Sequence, residues 1–249
     1  MDIKFWLGYA SEWLGVIAVT MIAGVSPLLK KVRQIEYRFP QREATFALSM
    51  FALIYLVAFQ YFSNPALAFA RKAAAVFAGG ELAEKMLLAV VCLVPFLLAL
   101  LLRGQPFKSI GWGRENLKAG ATLGVLLALV TLFLRGKFTA LLGGISSEQG
   151  SLLLVWLLFA AAEETIFRGY IQSRLVSLLG TTWGWLATAG LFVLWQLPGR
   201  LWVSPFADYW HLLAIATIQG LLLGWVMRKG GHVLAPMLFR VAAGWLLLI

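Results

Sequence analysis

The segment AAAEETIFRGY, at residues 160–170, has two adjacent carboxylates and an arginine inside a run that is otherwise apolar. The apolar character extends upstream to residue 151, so this run is long enough to cross much of a bilayer. Ionisable groups at that depth are costly and are usually retained for chemistry or for mutual pairing. Glu163, Glu164 and Arg168 therefore indicate either a chemical site or a buried ion network.

The composition of the whole chain favours a membrane protein. Of its 249 residues, 61% are hydrophobic and 13% are charged. Apolar runs that can span about 30 Å of hydrocarbon lie at 5–29, 44–62, 86–102, 119–134, 151–167, 183–197, 212–227 and 233–249. The sequence predicts an all-α, polytopic integral membrane protein with about eight transmembrane helices, and a single membrane domain over residues 1–249.

The basic residues of the loops predict the orientation of these spans, because Lys and Arg in short loops tend to stay cytoplasmic. Segment 30–42 contains five basic residues and segment 103–118 contains four, so both segments are predicted to face the cytoplasm. The formal net charge of +10 is explained by this topology and by anionic lipid headgroups. Membrane lipids are therefore expected partners, and nucleic acid is not.

Helix geometry separates the two acids of the fifth predicted span. Glu164 and Arg168 are four residues apart and share a helix face, whereas Glu163 points about 100° away. The spacing predicts a Glu164–Arg168 ion pair and a free acid, Glu163, directed into a cavity. A free buried carboxylate can take a proton from water, which makes Glu163 a candidate general base. A structural salt-bridge network without turnover fits the same three residues equally well.

Residues of the sixth and eighth spans are predicted to lie near these acids. At about 1.5 Å of rise per helical residue, Glu163, Gln196 and Arg240 all fall in the cytoplasmic half of the bilayer or near its middle. The flexible stem of Arg240 can bridge a remaining difference in depth. We therefore expect the three side chains to converge.

Three motifs of this chain resemble those of the CPBP intramembrane proteases, a family that includes type II CAAX prenyl endopeptidases and abortive-infection proteins. The run from Glu163 to Arg168 is similar to the EExxxR motif. The run from Phe192 to Gln196, followed by Pro198, resembles FxxxH with a proline, and the run from Arg240 to Gly244 resembles HxxxN or HxxxD. The resemblance covers about residues 113–245, which are predicted to form a CPBP-like core.

The resemblance implies roles for the matching residues and also reveals departures from the family pattern. It implies that Glu163 activates water and that Glu164 and Arg168 support it. From their own chemistry, we expect Gln196 to orient the water and Arg240 to hold the oxyanion. Gln196 and Arg240 stand where the family has histidines, and Gly244 stands where it has Asn or Asp. Glutamine cannot take up a proton at physiological pH. Arginine can stabilise an oxyanion, but it would disable Glu163 as a base if the two formed an ion pair.

Two functions therefore remain open. The first is an intramembrane glutamate-dependent endopeptidase that acts on a membrane-associated peptide or protein. The alternative is a degenerate homologue that binds a peptide or membrane partner without cleaving it. The resemblance further implies a bacterial cell membrane. The loop charges and the depth of Glu163, Gln196 and Arg240 predict that the site opens toward the cytoplasm. No metal or other cofactor is expected, because HExxH is absent and the two histidines, His211 and His232, fall outside the motif positions.

Overall fold

The computed structural model describes residues 3–32, 35–76, 79–202 and 205–249. Within these ranges the regular secondary structure is helical throughout, and no strand is present. The predicted all-α fold class is therefore confirmed. Many large apolar side chains on the outer helices are exposed, Leu14, Leu56 and Leu98 among them, which suits a surface that faces lipid.

Each predicted apolar run corresponds to one long helix. The long helices are α1 (Ile3–Gly24), α2 (Pro40–Ser63), α3 (Glu81–Leu102), α4 (Leu117–Leu134), α5 (Ser147–Glu164), α6 (Ser173–Trp195), α7 (Phe206–Gly230) and α8 (Leu234–Trp245). A π-helix, Thr165–Gln172, joins α5 to α6. Shorter helices in the connections are Pro27–Lys30, Ala68–Ala75, Phe138–Leu142 and Pro198–Leu201, with 3₁₀ turns at Pro65–Leu67, Phe107–Ile110 and Arg114–Asn116.

Six stretches of the described chain are long and apolar enough to cross a membrane. One of them, Ser147–Leu201, has 55 residues and would measure about 80 Å as a straight helix. It bends at Gly180, whose φ of 79° and ψ of 169° are not helical. A Cβ on Gly184 would lie 2.5 Å from Cα of Val176, so the two arms pack closely. This stretch therefore contains two of the predicted runs. Helix α8 is apolar but too short to be counted among the six stretches. The exact count of eight spans is not confirmed.

The basic loops meet at one end of the helix bundle, which we call the basic end (residues 35–39, 106–116 and 231–233). The hydroxyl of Tyr37 donates to the carbonyl of Ser109 over 2.6 Å. The side-chain amide of Asn116 donates to the carbonyl of Gly231 over 3.2 Å. These contacts connect three loops that are distant in sequence, and they agree with the prediction that the loops share one side.

The π-helix lies at the centre of the bundle. All eight of its residues are buried. Its apolar side chains belong to a core cluster with residues of α2, α3 and α6, including Phe51, Phe96 and Phe192. Because this segment directly follows Glu163 and Glu164, the packing that fixes the π-helix also fixes the two acids.

Candidate functional site

The sequence of α5 and of the π-helix explains how the two acids are positioned. A capping box begins α5: the backbone N–H of Gln149 donates to Oγ of Ser146, and the backbone N–H of Ser146 donates back to Oε1 of Gln149. The helix ends at Glu164, where the backbone widens into the π-helix. A Cβ on Gly169 would clash with the carbonyl oxygen of Ile110, so glycine permits a close backbone approach there. Such π-helical segments are frequent at functional sites.

Four ionisable side chains meet at the junction of α5, the π-helix and α8, and we call them the carboxylate–arginine cluster: Glu163, Glu164, Arg168 and Arg240. Nη1 of Arg240 donates to Oε1 of Glu164 over 2.8 Å, and Nη2 of the same arginine donates to Oε2 of Glu163. Nε of Arg168 lies 3.3 Å from Oε2 of Glu164. The side chains of the two acids and Arg168 are at most 2% exposed, and that of Arg240 is 13% exposed. Two negative and two positive charges leave the cluster neutral.

The predicted pair of Glu164 and Arg168 is present, and so is the predicted convergence of Glu163 with Arg240. The prediction that Glu163 is a free acid is wrong. Its Oε2 accepts from Arg240, and its Oε1 accepts from Nε1 of Trp195 over 2.6 Å. Helical spacing reveals partners four residues away, whereas these two partners lie 32 and 77 residues away along the chain.

Phe192, the apolar residue that matches the second motif, lies between the two arginines. The Cζ atoms of Arg168 and Arg240 lie 4.2 Å and 5.1 Å from the centre of its ring. The ring is 2% exposed. Cation–π contacts of this kind are stronger where water is excluded, so Phe192 stabilises both charges and separates them.

Gln196 adjoins the cluster without joining it. Its half-buried side chain makes no hydrogen bond with any residue that the structure describes. It lines a cavity of about 200 Å³ together with Arg240 and Gly244, which we call the inner cavity. It also lines a second cavity of about 50 Å³ beside Glu163. The five predicted site residues therefore lie together, with four of them in direct ionic contact.

The third-motif position Gly244 is closed by a neighbouring aromatic ring. A Cβ built on Gly244 would lie 2.5 Å from Cζ2 and Cζ3 of Trp156 on α5. A carboxamide or carboxylate side chain would therefore displace the indole. In this protein Trp156 occupies the space that the family's Asn or Asp would require.

The inner cavity extends away from the basic end. Among its lining residues, Leu212 lies in the first part of α7, and α7 reaches the basic end only at Gly230. Leu247 follows the end of α8, which starts at the basic end. The predicted opening toward the cytoplasmic loops is therefore not confirmed, because both residues lie toward the opposite end of the bundle.

His232 lies outside the carboxylate–arginine cluster. It is buried in the loop between α7 and α8, where its ring packs edge-on against Trp112 and its Nδ1 accepts from the backbone N–H of Leu234 over 3.1 Å. Burial lowers the pKa of this histidine below its ordinary value. Among the described residues, no three His, Cys, Asp or Glu side chains group closely enough to hold a metal ion.

A second buried ion network fastens the basic end. Glu43 of α2 accepts from Arg103, from Nε of Arg174 over 3.2 Å and from Nε2 of Gln105 over 3.1 Å. Nη2 of Arg174 also donates to Oε1 of Gln105 over 2.6 Å. This network joins α2, the segment after α3 and the start of α6. Because it contains none of the predicted site residues, we assign it a structural role.

Sequence reasoning missed four residues of the site: Trp156, Trp195, Arg200 and Gln219. Trp195 directly precedes Gln196 in the second motif, but nothing in the sequence distinguishes its role from that of an interfacial tryptophan. Arg200 and Gln219 line the inner cavity next to Gln196. Arg200 is four residues after Gln196, and this spacing was the available signal that the two share a face.

A family model described as type II CAAX prenyl endopeptidase Rce1-like matches residues 145–246. The match includes α5, the π-helix, α6, α7 and α8, and with them all three motifs. No curated protein and no solved structure is similar enough to match. The predicted resemblance is confirmed over this segment: residues 145–246 are similar to the Rce1-like type II CAAX prenyl endopeptidases. The long apolar helices agree with an integral membrane protein.

Proposed function

We propose that this membrane protein is a catalytically degenerate CAAX-protease-like homologue that binds a peptide or a membrane partner without cleaving it. The observation that supports the proposal best is that Arg240 bridges Glu163 and Glu164. In a glutamate-dependent peptidase, Glu163 would take a proton from water and Arg240 would hold the oxyanion. Here the two groups neutralise each other, so neither is available for its step without breaking a buried ion pair.

The two remaining polar positions support the same conclusion. Gln196 can orient a water molecule but cannot take up the proton that a histidine would. The ring of Trp156 fills the space next to Gly244, so no oxyanion donor can arise from that position. Removing one oxyanion donor typically lowers kcat by about 10²–10³. This chain lacks both the acid–base histidine expected at position 196 and the oxyanion donor expected at position 244.

The neutral charge of the cluster is what a structural network needs. A buried charge without a partner is strongly destabilising, whereas two acids paired with two arginines satisfy one another. In this role the EExxxR run supports the fold around the inner cavity, and that cavity is available for a ligand.

The test measures turnover in proteoliposomes that contain the full chain. Lipid-anchored, internally quenched peptides of varied sequence are incubated with the wild type, with Glu163→Gln and with a repaired variant. The repaired variant carries Gln196→His, Arg240→His, Gly244→Asn and Trp156→Ala, since the last change removes the ring that would block Asn at position 244. We expect the wild type to cleave no faster than Glu163→Gln.

The control for this test is Trp156→Ala alone, which opens the same space without restoring a catalytic group. Cleavage by the repaired variant but not by this control would show that the missing side chains limit catalysis. Cleavage by the wild type that disappears in Glu163→Gln would overturn the proposal.

A second candidate, the glutamate-dependent endopeptidase, is favoured by one observation. The cavity of about 50 Å³ next to Glu163 is also lined by Gln196, and a site needs only about 10–15 Å³ to hold a water molecule. A water bound there would lie between the predicted base and the residue predicted to orient it. The turnover assay separates the two candidates.

A further inference from the structure

Polar side chains without partners converge on the inner cavity. Gln196, Arg200 and Gln219 all line it, and none of these three side chains makes a hydrogen bond or ion pair with a described residue. All three are half-buried. Because these polar groups are not engaged by the protein, three of them on one cavity leave hydrogen-bonding capacity free for a ligand.

The donors on this wall determine the chemistry of that ligand. A guanidinium group can only donate hydrogen bonds, whereas a carboxamide can both donate and accept. Arg200 can therefore only donate into the cavity, and the side-chain amides of Gln196 and Gln219 can donate beside it. Together these groups favour a ligand group that accepts hydrogen bonds.

The net charge of the cavity wall further limits the chemical class of the ligand. Arg240 also borders the cavity, but Glu163 and Glu164 neutralise it within the cluster. Arg200 has no such partner, so the cavity carries one uncompensated positive charge. A single carboxylate would neutralise it and would match the planar fork of the guanidinium group.

Most of the remaining wall is apolar and includes Phe192, Leu212, Ile215, Leu223, Phe239 and Leu247. A volume of about 200 Å³ bounded by such side chains suits a short aliphatic chain. A small hydrophilic anion would gain little from these walls.

We propose that the inner cavity binds the carboxylate of an apolar chain, with Arg200 as the counter-charge and Gln196 and Gln219 as additional donors. This inference depends on the proposed function in one respect, namely that the inner cavity holds a ligand. The carboxylate can come from a fatty acid or from the free carboxyl terminus of a hydrophobic peptide, because both present the same group on an apolar chain.

The test compares matched pairs of probes on the full chain in lipid nanodiscs by isothermal titration calorimetry. One pair is octanoate and octanamide, and the other is acetyl-trileucine with a free carboxyl terminus and with a terminal amide. We expect the carboxylate of at least one pair to bind at least about tenfold more tightly than its amide, because hydrogen bonds between charged groups are the stronger kind. The pair with this preference identifies the source.

Three variants assign the preference to its residue. Arg200→Gln should abolish it, and Arg200→Lys should keep part of it because the charge remains. The matched control is Arg114→Gln, which removes one positive charge from an exposed position at the basic end and should keep the full preference. Each variant is accepted only if its unfolding midpoint matches that of the wild type.

Equal binding of carboxylate and amide by the wild type would overturn the inference, and so would a preference that survives in Arg200→Gln. Mass spectrometry of the same peptide samples keeps this result separate from the proposed function. Cleaved peptide together with a carboxylate preference that depends on Arg200 would reject the proposed function and support this inference. Intact peptide without any preference would reject this inference alone.

Discussion

Replacing Arg240 with methionine should destabilise the protein by about 3–5 kcal/mol, the usual cost of removing one partner from a buried ion pair. The substitution leaves Glu163 and Glu164 facing Arg168, so the cluster changes from neutral to a net charge of −1. Both acids are at most 2% exposed, so too little water reaches them to replace the missing cation. Methionine retains much of the aliphatic volume of arginine, so the measured change reflects mainly the lost charge.

The assay is equilibrium unfolding in mixed micelles of a mild detergent and SDS, followed by tryptophan fluorescence of this chain with its 11 tryptophans. The double variant Glu163→Gln with Arg240→Met should recover about 2 kcal/mol of the loss. It restores neutrality, because Glu164 and Arg168 then balance each other, and contacting residues typically show coupling of about 0.5–3 kcal/mol. Glutamine can still accept a hydrogen bond from the indole of Trp195.

The control is Arg114→Met, an exposed arginine at the basic end, which should change the free energy of unfolding by no more than about 0.5 kcal/mol. A cost below about 1 kcal/mol for Arg240→Met would refute the reasoning, because the guanidinium would then not be neutralising buried charge. Strict additivity in the double variant would refute it as well.

Three further predictions concern backbone contacts and protonation, each read out as the free energy of unfolding in the same micelles. Gly244→Asn should lower the free energy of unfolding by about 1–3 kcal/mol, because the new side chain overpacks against Trp156. In a protein that already carries Trp156→Ala, the same Gly244→Asn change should be nearly neutral. An unchanged cost in the Trp156→Ala protein would contradict the steric explanation. Gly169→Ala should cost a similar amount, because its Cβ would clash with the carbonyl of Ile110; stability equal to that of the wild type would show that the two backbones can separate freely. Burial lowers the pKa of His232 in the folded state, so its contribution to the free energy of unfolding is full above the ordinary histidine pKa of about 6.5. That contribution is lost as the pH falls from this value toward the lower pKa of the folded state. His232→Gln should remove this pH dependence, and a pH profile identical to that of the wild type would reject the prediction.

Much of the fold follows from local sequence because lipid imposes a simple rule. Each apolar run had to form a helix that satisfies its own backbone hydrogen bonds, and each corresponds to a long helix in the structure. The pair of Glu164 with Arg168 was predictable for the same reason, since a helical spacing of four residues fixes it. The bend at Gly180 falls in the connection predicted between the runs 151–167 and 183–197. Its exact residue was not predictable, because the composition of a connection does not show where the chain turns.

The partners of Glu163 show why the site itself could not be read in full from the sequence. Depth along the helices predicted that Glu163 and Arg240 converge, but depth does not indicate which hydrogen bonds form. Trp195 had the sequence features of any membrane tryptophan, and the contact between Trp156 and Gly244 depends on how α5 packs on α8. The π-helix was equally hidden, because the pattern TIFRGYIQ fits an ordinary helical turn.

The departures at the second and third motifs are physically connected. An arginine at position 240 brings a permanent positive charge into a buried site, where an uncompensated cation would be unstable, and Glu163 is the acid within reach that lacks another cationic partner. Once Glu163 neutralises Arg240, a histidine at position 196 would have no free base to assist, and a polar side chain at position 244 would have no oxyanion to stabilise. With Arg240 present, neither a histidine at position 196 nor a polar side chain at position 244 would therefore have a catalytic role. Arg240→His alone should restore little cleavage while Gln196 and Trp156 remain, and full cleavage from that single change would show that the three departures are independent.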